Sequence, residues 1–270
     1  MAHAITAERQ STSMVSSDLS TPSKKILIIV SDAHSFPLKK PEGITIDQPS
    51  GYFLMELAKP LTAFLDAGYD VTFASPKGQE PQPDPNSVSL LAFAGNWYEK
   101  KRELDLVEGR MKEEKNFKHP TKFSEISDKD LESYAGVFIP GGHAPLQDLG
   151  DDKELGRILR HFHTRQKPTA TICHGPYALL STAADGGDFA YKGYKITSWS
   201  DAEEKLMETL LWGEIEKVES RLREAGADMV VGLGEKMGRV TVDREVVSGG
   251  NPMAAKELGE RFLEMVDKRG

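Results

Sequence analysis

The chain holds one cysteine, Cys173, in the run Thr169-Ala170-Thr171-Ile172-Cys173-His174-Gly175-Pro176. A short apolar strand leads into it and a helix opens after it, so the thiol sits at a strand-to-helix corner. That is the arrangement of a nucleophile elbow, where a sharp turn lifts the reactive side chain above the carboxyl edge of a sheet. A thiol at a helix start feels the positive end of the dipole, which lowers its pKa, and thiolate is the nucleophilic form. Histidine ordinarily titrates near neutrality, so the residue type at His174 suits a proton shuttle. Adjacency alone does not make it face Cys173, because neighbours on a helix diverge. A second segment, Phe138-Ile139-Pro140-Gly141-Gly142-His143, ends another strand in a glycine pair. Its N–H groups can form an oxyanion hole or an anion nest. Glu56 lies at the rim of a helical apolar stripe; aimed into a sheet crevice it would be desolvated, and its raised pKa would let it donate a proton. Each feature also has an ordinary reading: a core thiol, a plain tight turn, a solvated carboxylate.

The elements around these residues must place them on one edge. Ile26 to Val30 is a β-branched run, as in a strand buried on both faces of a parallel sheet. Tyr52 to Ala67 reads as a helix with Phe53, Leu57, Leu61, Phe64 and Leu65 on one stripe and Gly68 ending it. A strand over Tyr69 to Ala74 completes a βαβ unit. Residues 75–133 interrupt the rhythm with a Pro-rich stretch and a charged, partly helical one, and read as a small cap inserted in the main domain. The alternation then resumes with strands at Gly136–Ile139 and Thr169–Ile172 and helices over Lys153–Gln166 and His174–Ala183. Tyr194–Ser198 reads as a short strand and Glu203–Ala225 as one long amphipathic helix. Three short strands follow, at Met229–Val231, Arg239–Val242 and Glu245–Val247, before a last helix capped by Asn251 with Pro252 in its first turn. The expected fold is a doubly wound, mostly parallel α/β sheet over residues 24–270, after a disordered tail at 1–23. The glycine-rich run Gly232 to Gly238 lacks the strand-then-helix context of a dinucleotide loop and reads as a hairpin turn.

Composition narrows the function. Among 270 residues, 34 Lys+Arg face 42 Asp+Glu, a net charge of −8, which disfavours nucleic acid as a partner. No apolar run reaches the roughly 18–20 residues of a membrane span. A lone cysteine excludes an intramolecular disulfide, and the chain reads as cytoplasmic, with a homodimer as the default assembly.

The segments GYFLMELAKPL, FIPGGHAPLQDL and TICHGPYALL together resemble the PfpI superfamily, also called the class I glutamine-amidotransferase-like or Parkinson-associated deglycase superfamily. The flavodoxin-like fold of that group is thereby implied. GYKITSWSDAEE, LWGEIEKVESRLREAGADMV and GRVTVDREVVSGGNPMAAKELG resemble its heat-shock-chaperone branch, which carries glyoxalase III activity. The resemblance implies conversion of a small dicarbonyl, methylglyoxal or glyoxal, to a 2-hydroxy acid without glutathione or any cofactor. It puts the nucleophile on Cys173, the base on His174 and the cysteine-polarising acid on Glu56. It puts the acidic partner of the histidine on Asp201, with Glu203 and Glu204 as second choices. Oxyanion and substrate contacts fall to Gly141, Gly142 and His143, with the N–H of His174. Some members of the branch carry a two-histidine, one-carboxylate metal site, but the helix after Glu56 has no histidine and the remaining histidines show no local ligand motif, so no metal is expected. The alternatives are a stress holdase with a redox-sensing cysteine and another Cys-His hydrolase of the superfamily; deglycase activity could accompany the first reading.

Overall fold

The computed structural model describes residues 24–269; the expected tail at 1–23 lies outside the described residues. Eleven strands follow in chain order: β1 (Lys25–Ile29), β2 (Ser35–Lys39), β3 (Thr45–Pro49), β4 (Asp70–Ser75), β5 (Thr121–Lys122), β6 (Gly136–Ile139), β7 (Thr169–Ile172), β8 (Lys195–Ile196), β9 (Asp228–Met229), β10 (Thr241–Asp243) and β11 (Val246–Gly249). The helices are α1 (Leu54–Asp66), α2 (Trp97–Leu104), α3 (Lys112–Glu114), α4 (Asp128–Glu132), α5 (Pro145–Asp148), α6 (Lys153–Thr164), α7 (Asp201–Leu211), α8 (Val218–Ala225), α9 (Leu233–Lys236) and α10 (Ala255–Asp267).

Seven strands form the central sheet in the order β10-β11-β7-β6-β1-β4-β5. Every pairing is parallel except β10 with β11. The period-2 alternation of a strand divides β1 between two cores: Leu27 and Ile29 face one, Ile26 and Ile28 the other. The first core is covered by α6 through Leu155, Ile158, Leu159 and Phe162. The second is covered by α1 and α10 through Leu57, Leu61, Phe64, Leu258 and Phe262. This is the doubly wound α/β architecture anticipated from the sequence. Successive strands run outward in opposite directions from β1 and β6, so the crevice at their carboxyl ends is the topological switch point where such sheets bind ligands. Among the described residues no helix is long and apolar enough to cross a membrane.

The interruption at 75–133 is tied to the sheet: β5 extends its edge beside β4, and α2 runs into a π-helix over Asp105–Met111. Four details depart from the sequence reading. The segment 35–49 forms a β2–β3 hairpin whose Phe36 and Leu38 turn inward. The long helix expected over Glu203–Ala225 is two helices, broken where Trp212 adopts φ +50° and where a side chain at Gly213 would lie 2.8 Å from Leu38. Gly232 to Gly238 contains the short helix α9 rather than a hairpin turn. The segment after His174 is a 3₁₀ helix over Gly175–Ala183, so no regular α-helix begins at the cysteine.

Candidate active site

Three chain segments meet at the carboxyl edge of the sheet. β7 ends at Ile172, and Cys173 turns into the left-handed region at φ +60°. For a residue with a Cβ that conformation is strained, costing on the order of 1–3 kcal/mol, and it survives only where neighbours enforce it. Here the Cys173 N–H donates to the Gly249 carbonyl at 2.9 Å, and its own carbonyl accepts from the Trp199 N–H at 2.9 Å. Gly175 clears the turn, since a Cβ there would lie 2.6 Å from the Ile139 carbonyl oxygen. The elbow read from the sequence is present.

The strain aims the thiol at two partners. Cys173 Sγ lies 3.2 Å from His174 Nδ1, so the adjacent pair does meet, through the turn geometry that a regular helix would have denied it. On its other side is Glu56, fully buried in α1. A Cβ on Gly141 would stand 2.4 Å from Glu56 Oε2 and 2.6 Å from Cys173 Cβ; only glycine allows carboxyl and thiol to close over that turn. Burial pushes the Glu56 carboxyl up to about 8, against the opposing pull of Cys173 and the Gly141 N–H. Neither carboxyl oxygen completes a hydrogen bond of good geometry, although both groups lie against it. Glu56 is therefore a neutral acid at neutral pH, able to donate a proton toward sulfur.

The Cys173 thiol itself is pushed up, first by burial and then by the Glu56 carboxyl, with the Gly142 N–H acting in the opposite direction. The expectation of a thiol acidified by a helix dipole is thus corrected: the side chain is 4% exposed, and the 3₁₀ turns after it supply no regular α-helical macrodipole. The group nearest the thiol that can accept a proton is His174. Burial, followed by the neighbouring His143, lowers His174 and keeps it neutral. Its Nε2 lies 2.7 Å from Glu204 Oε2. Burial alone would raise the Glu204 carboxyl, but His174 and His143 outweigh it and bring the group down to about 2. With Glu204 ionised, His174 donates through Nε2–H and presents the Nδ1 lone pair to the thiol, a tautomer assigned from its partners.

The acidic partner of the histidine is Glu204, not Asp201. The Asp201 carboxylate accepts from the Ser220 N–H at 3.2 Å and the Ser220 hydroxyl at 2.6 Å, anchoring the first turn of α8. Glu203 is used in the capping box of α7 with Ser200. One turn in, Glu204 points to the sheet and is 1% exposed. The choice between these acids depends on how α7 is rotated, which the local sequence SDAEE does not display.

Gly141, Gly142 and His143 reach the site as anticipated. Gly142 has φ +97°, and a Cβ there would lie 2.1 Å from the Gly51 carbonyl oxygen. His143 Nε2 contacts Glu204 Oε1 at 3.1 Å, so one carboxylate serves two imidazoles. Sequence reasoning missed Phe36, which stacks on His143 at 4.6 Å, and Trp199, which stacks on His174 at 5.7 Å. It also missed Asp84, a buried acid whose charge acts on both Glu56 and His174. Phe36 and Asp84 come from the hairpin and the inserted segment, where no periodic pattern marked them.

The DJ-1/PfpI family profile matches residues 48–265. The chain belongs to the DJ-1/PfpI family. A relative named protein/nucleic acid deglycase HchA, from Staphylococcus aureus strain MSSA476, is 26% identical over 220 residues, covering 78% of this chain and 70% of that protein. Two solved structures share the fold. Glyoxalase III from Candida albicans superposes with a TM-score of 0.72 at 23% identity, covering 91% of this chain and 98% of that one. The 24-kDa rapid encystment protein of Francisella tularensis gives 0.71 at 21% identity, with 90% and 98% covered.

Proposed function

We propose that this protein is a glutathione-independent glyoxalase converting methylglyoxal to lactate. The observation that carries the reading is the strained Cys173 held between a neutral His174 base and a neutral Glu56 acid. His174 Nδ1 takes the thiol proton, and the thiolate adds to the aldehyde carbon to give a hemithioacetal. The oxyanion that develops there lies beside the Gly142 N–H, which already points at the sulfur. A proton leaves the former aldehyde carbon and another is returned to the adjacent carbon, so the hemithioacetal becomes a lactoyl thioester. His174 is the base positioned for this transfer, and Glu204 stabilises the imidazolium that forms. Water then hydrolyses the thioester, releasing lactate and regenerating the thiol. The net change is addition of one water, with no external oxidant or reductant.

Burial favours a small substrate. With Cys173 4% exposed and His174 1% exposed, a two-carbonyl molecule suits the thiol better than a glycated protein side chain, the kind of substrate the name deglycase suggests for the HchA relative. Rapid quenching with methylglyoxal followed by intact-mass measurement tests the chemistry: one methylglyoxal equivalent on the wild type and none on Cys173→Ala is expected. Adduct on neither protein would overturn the reading. A holdase reading has one observation in its favour: Leu206, Leu210 and Trp212 along and just past α7 are 62%, 70% and 72% exposed. It requires that suppression of aggregation be unchanged in Cys173→Ala.

A further inference from the structure

We propose that His143, His174 and Glu204 form an inhibitory site for a zinc-like divalent cation. One ligand atom from each of these residues lies within 4.8 Å of the other two. Glu204 Oε1 is already 3.1 Å from His143 Nε2, and Glu204 Oε2 is 2.7 Å from His174 Nε2. Zinc bonds of roughly 2.0–2.1 Å in a tetrahedron place neighbouring ligand atoms about 3.3 Å apart. Small side-chain shifts therefore open the cluster around an ion. Two imidazole nitrogens and one carboxylate oxygen suit zinc and its transition-metal neighbours, and do not suit magnesium or calcium, which take oxygen. His174 and Glu204 are each 1% exposed, so an ion there would be enclosed by protein. The His143 side chain, 13% exposed, marks the side from which an ion enters. The sequence expectation of no metal rested on the lack of closely spaced ligands; these three come from the turns after β6 and β7 and from α7.

The inhibitory character follows from the tautomer, and this part rests on the proposed role of His174 as base. With Nε2–H bonded to Glu204, the Nδ1 lone pair is free to take the Cys173 proton. A cation on Nε2 displaces that proton and leaves hydrogen on Nδ1, so the ring can no longer accept from sulfur. The cation competes with a proton for the Nε2 position without touching the thiol.

Equilibrium dialysis of zinc against the full chain tests the site, using wild type, Cys173→Ala, His143→Gln and Glu204→Gln, each checked for folding by its thermal transition. One zinc per chain is expected in wild type and Cys173→Ala, with affinity at least about tenfold weaker in the other two. Cobalt in place of zinc should give ligand-field bands without a thiolate charge-transfer band. Zinc inhibition of wild-type turnover, reversed by a chelator, completes the expectation. Failure of wild type to bind zinc stoichiometrically overturns the proposal, as does loss of binding in Cys173→Ala or undiminished binding in both His143→Gln and Glu204→Gln. A wild type that binds zinc but never turns over methylglyoxal would instead refute the glyoxalase reading and the inhibitory role, leaving a metal site alone.

Discussion

Replacing Glu56 by Gln removes an acid that the fold holds protonated, and the consequence for stability has a definite sign and window. The Glu56 carboxyl is raised from 4.5 to about 8 by burial in α1 against Cys173. A raised acid binds its proton more tightly in the folded than in the unfolded chain. Its contribution is fully present below pH 4.5 and is lost as pH rises through about 8. At about 1.4 kcal/mol per pKa unit, the loss across that window is roughly 4–5 kcal/mol. Glutamine keeps the shape and never ionises, so the variant escapes that loss. Glu103 and Asp148 are also raised by burial, to about 7 and about 6, and titrate in both proteins. The assay is therefore the difference between wild-type and Glu56→Gln unfolding free energies in urea, measured from about pH 5 to about pH 9. The variant should gain on the wild type by a few kcal/mol across this range. A difference curve flat with pH would refute a neutral Glu56 and, with it, the acid that the proposed chemistry places beside sulfur.

Other perturbations sort the residues around the site. Glu204→Gln should lower kcat/KM by about 10²–10⁴, the usual range for a lost acid–base component, whereas Asp201→Asn should keep near-wild-type turnover and lower stability by about 1 kcal/mol through the weakened start of α8; steady-state kinetics and thermal melts on the pair check both. Gly141→Ala forces a Cβ between the Glu56 carboxyl and Cys173 and should destabilise by about 1–3 kcal/mol while slowing alkylation of the thiol, both read on the purified variant. Phe36→Ala removes a buried ring stacked on His143 and should cost about 3–5 kcal/mol, measured by urea unfolding.

The parallel sheet was readable because its strands are short apolar runs, such as Ile26 to Val30, separated by a helix with a clean stripe. The elbow was readable because a lone cysteine followed by His-Gly-Pro leaves few roles for that turn. The identity of the third acid was not: Asp201, Glu203 and Glu204 are chemically interchangeable on paper, and the Ser200 cap and the contact of Asp201 with Ser220 decide which one faces His174. The break after Leu211 was hidden for a related reason, since it depends on the close approach of Gly213 to Leu38 of the hairpin. The thiol's environment was also misjudged from local pattern. A helix start suggests an acidified cysteine, but the 3₁₀ geometry and the buried carboxyl beside it reverse the direction. Long-range placement, of Phe36, Asp84 and Trp199 alike, is what the local sequence leaves unwritten.

The central claim is tested most directly by lactate formation from methylglyoxal, without glutathione or added metal, on wild type and Cys173→Ala in parallel. Lactate from the wild type alone is the predicted result. Equal lactate from both proteins would contradict cysteine catalysis, and none from the wild type would contradict the glyoxalase assignment itself.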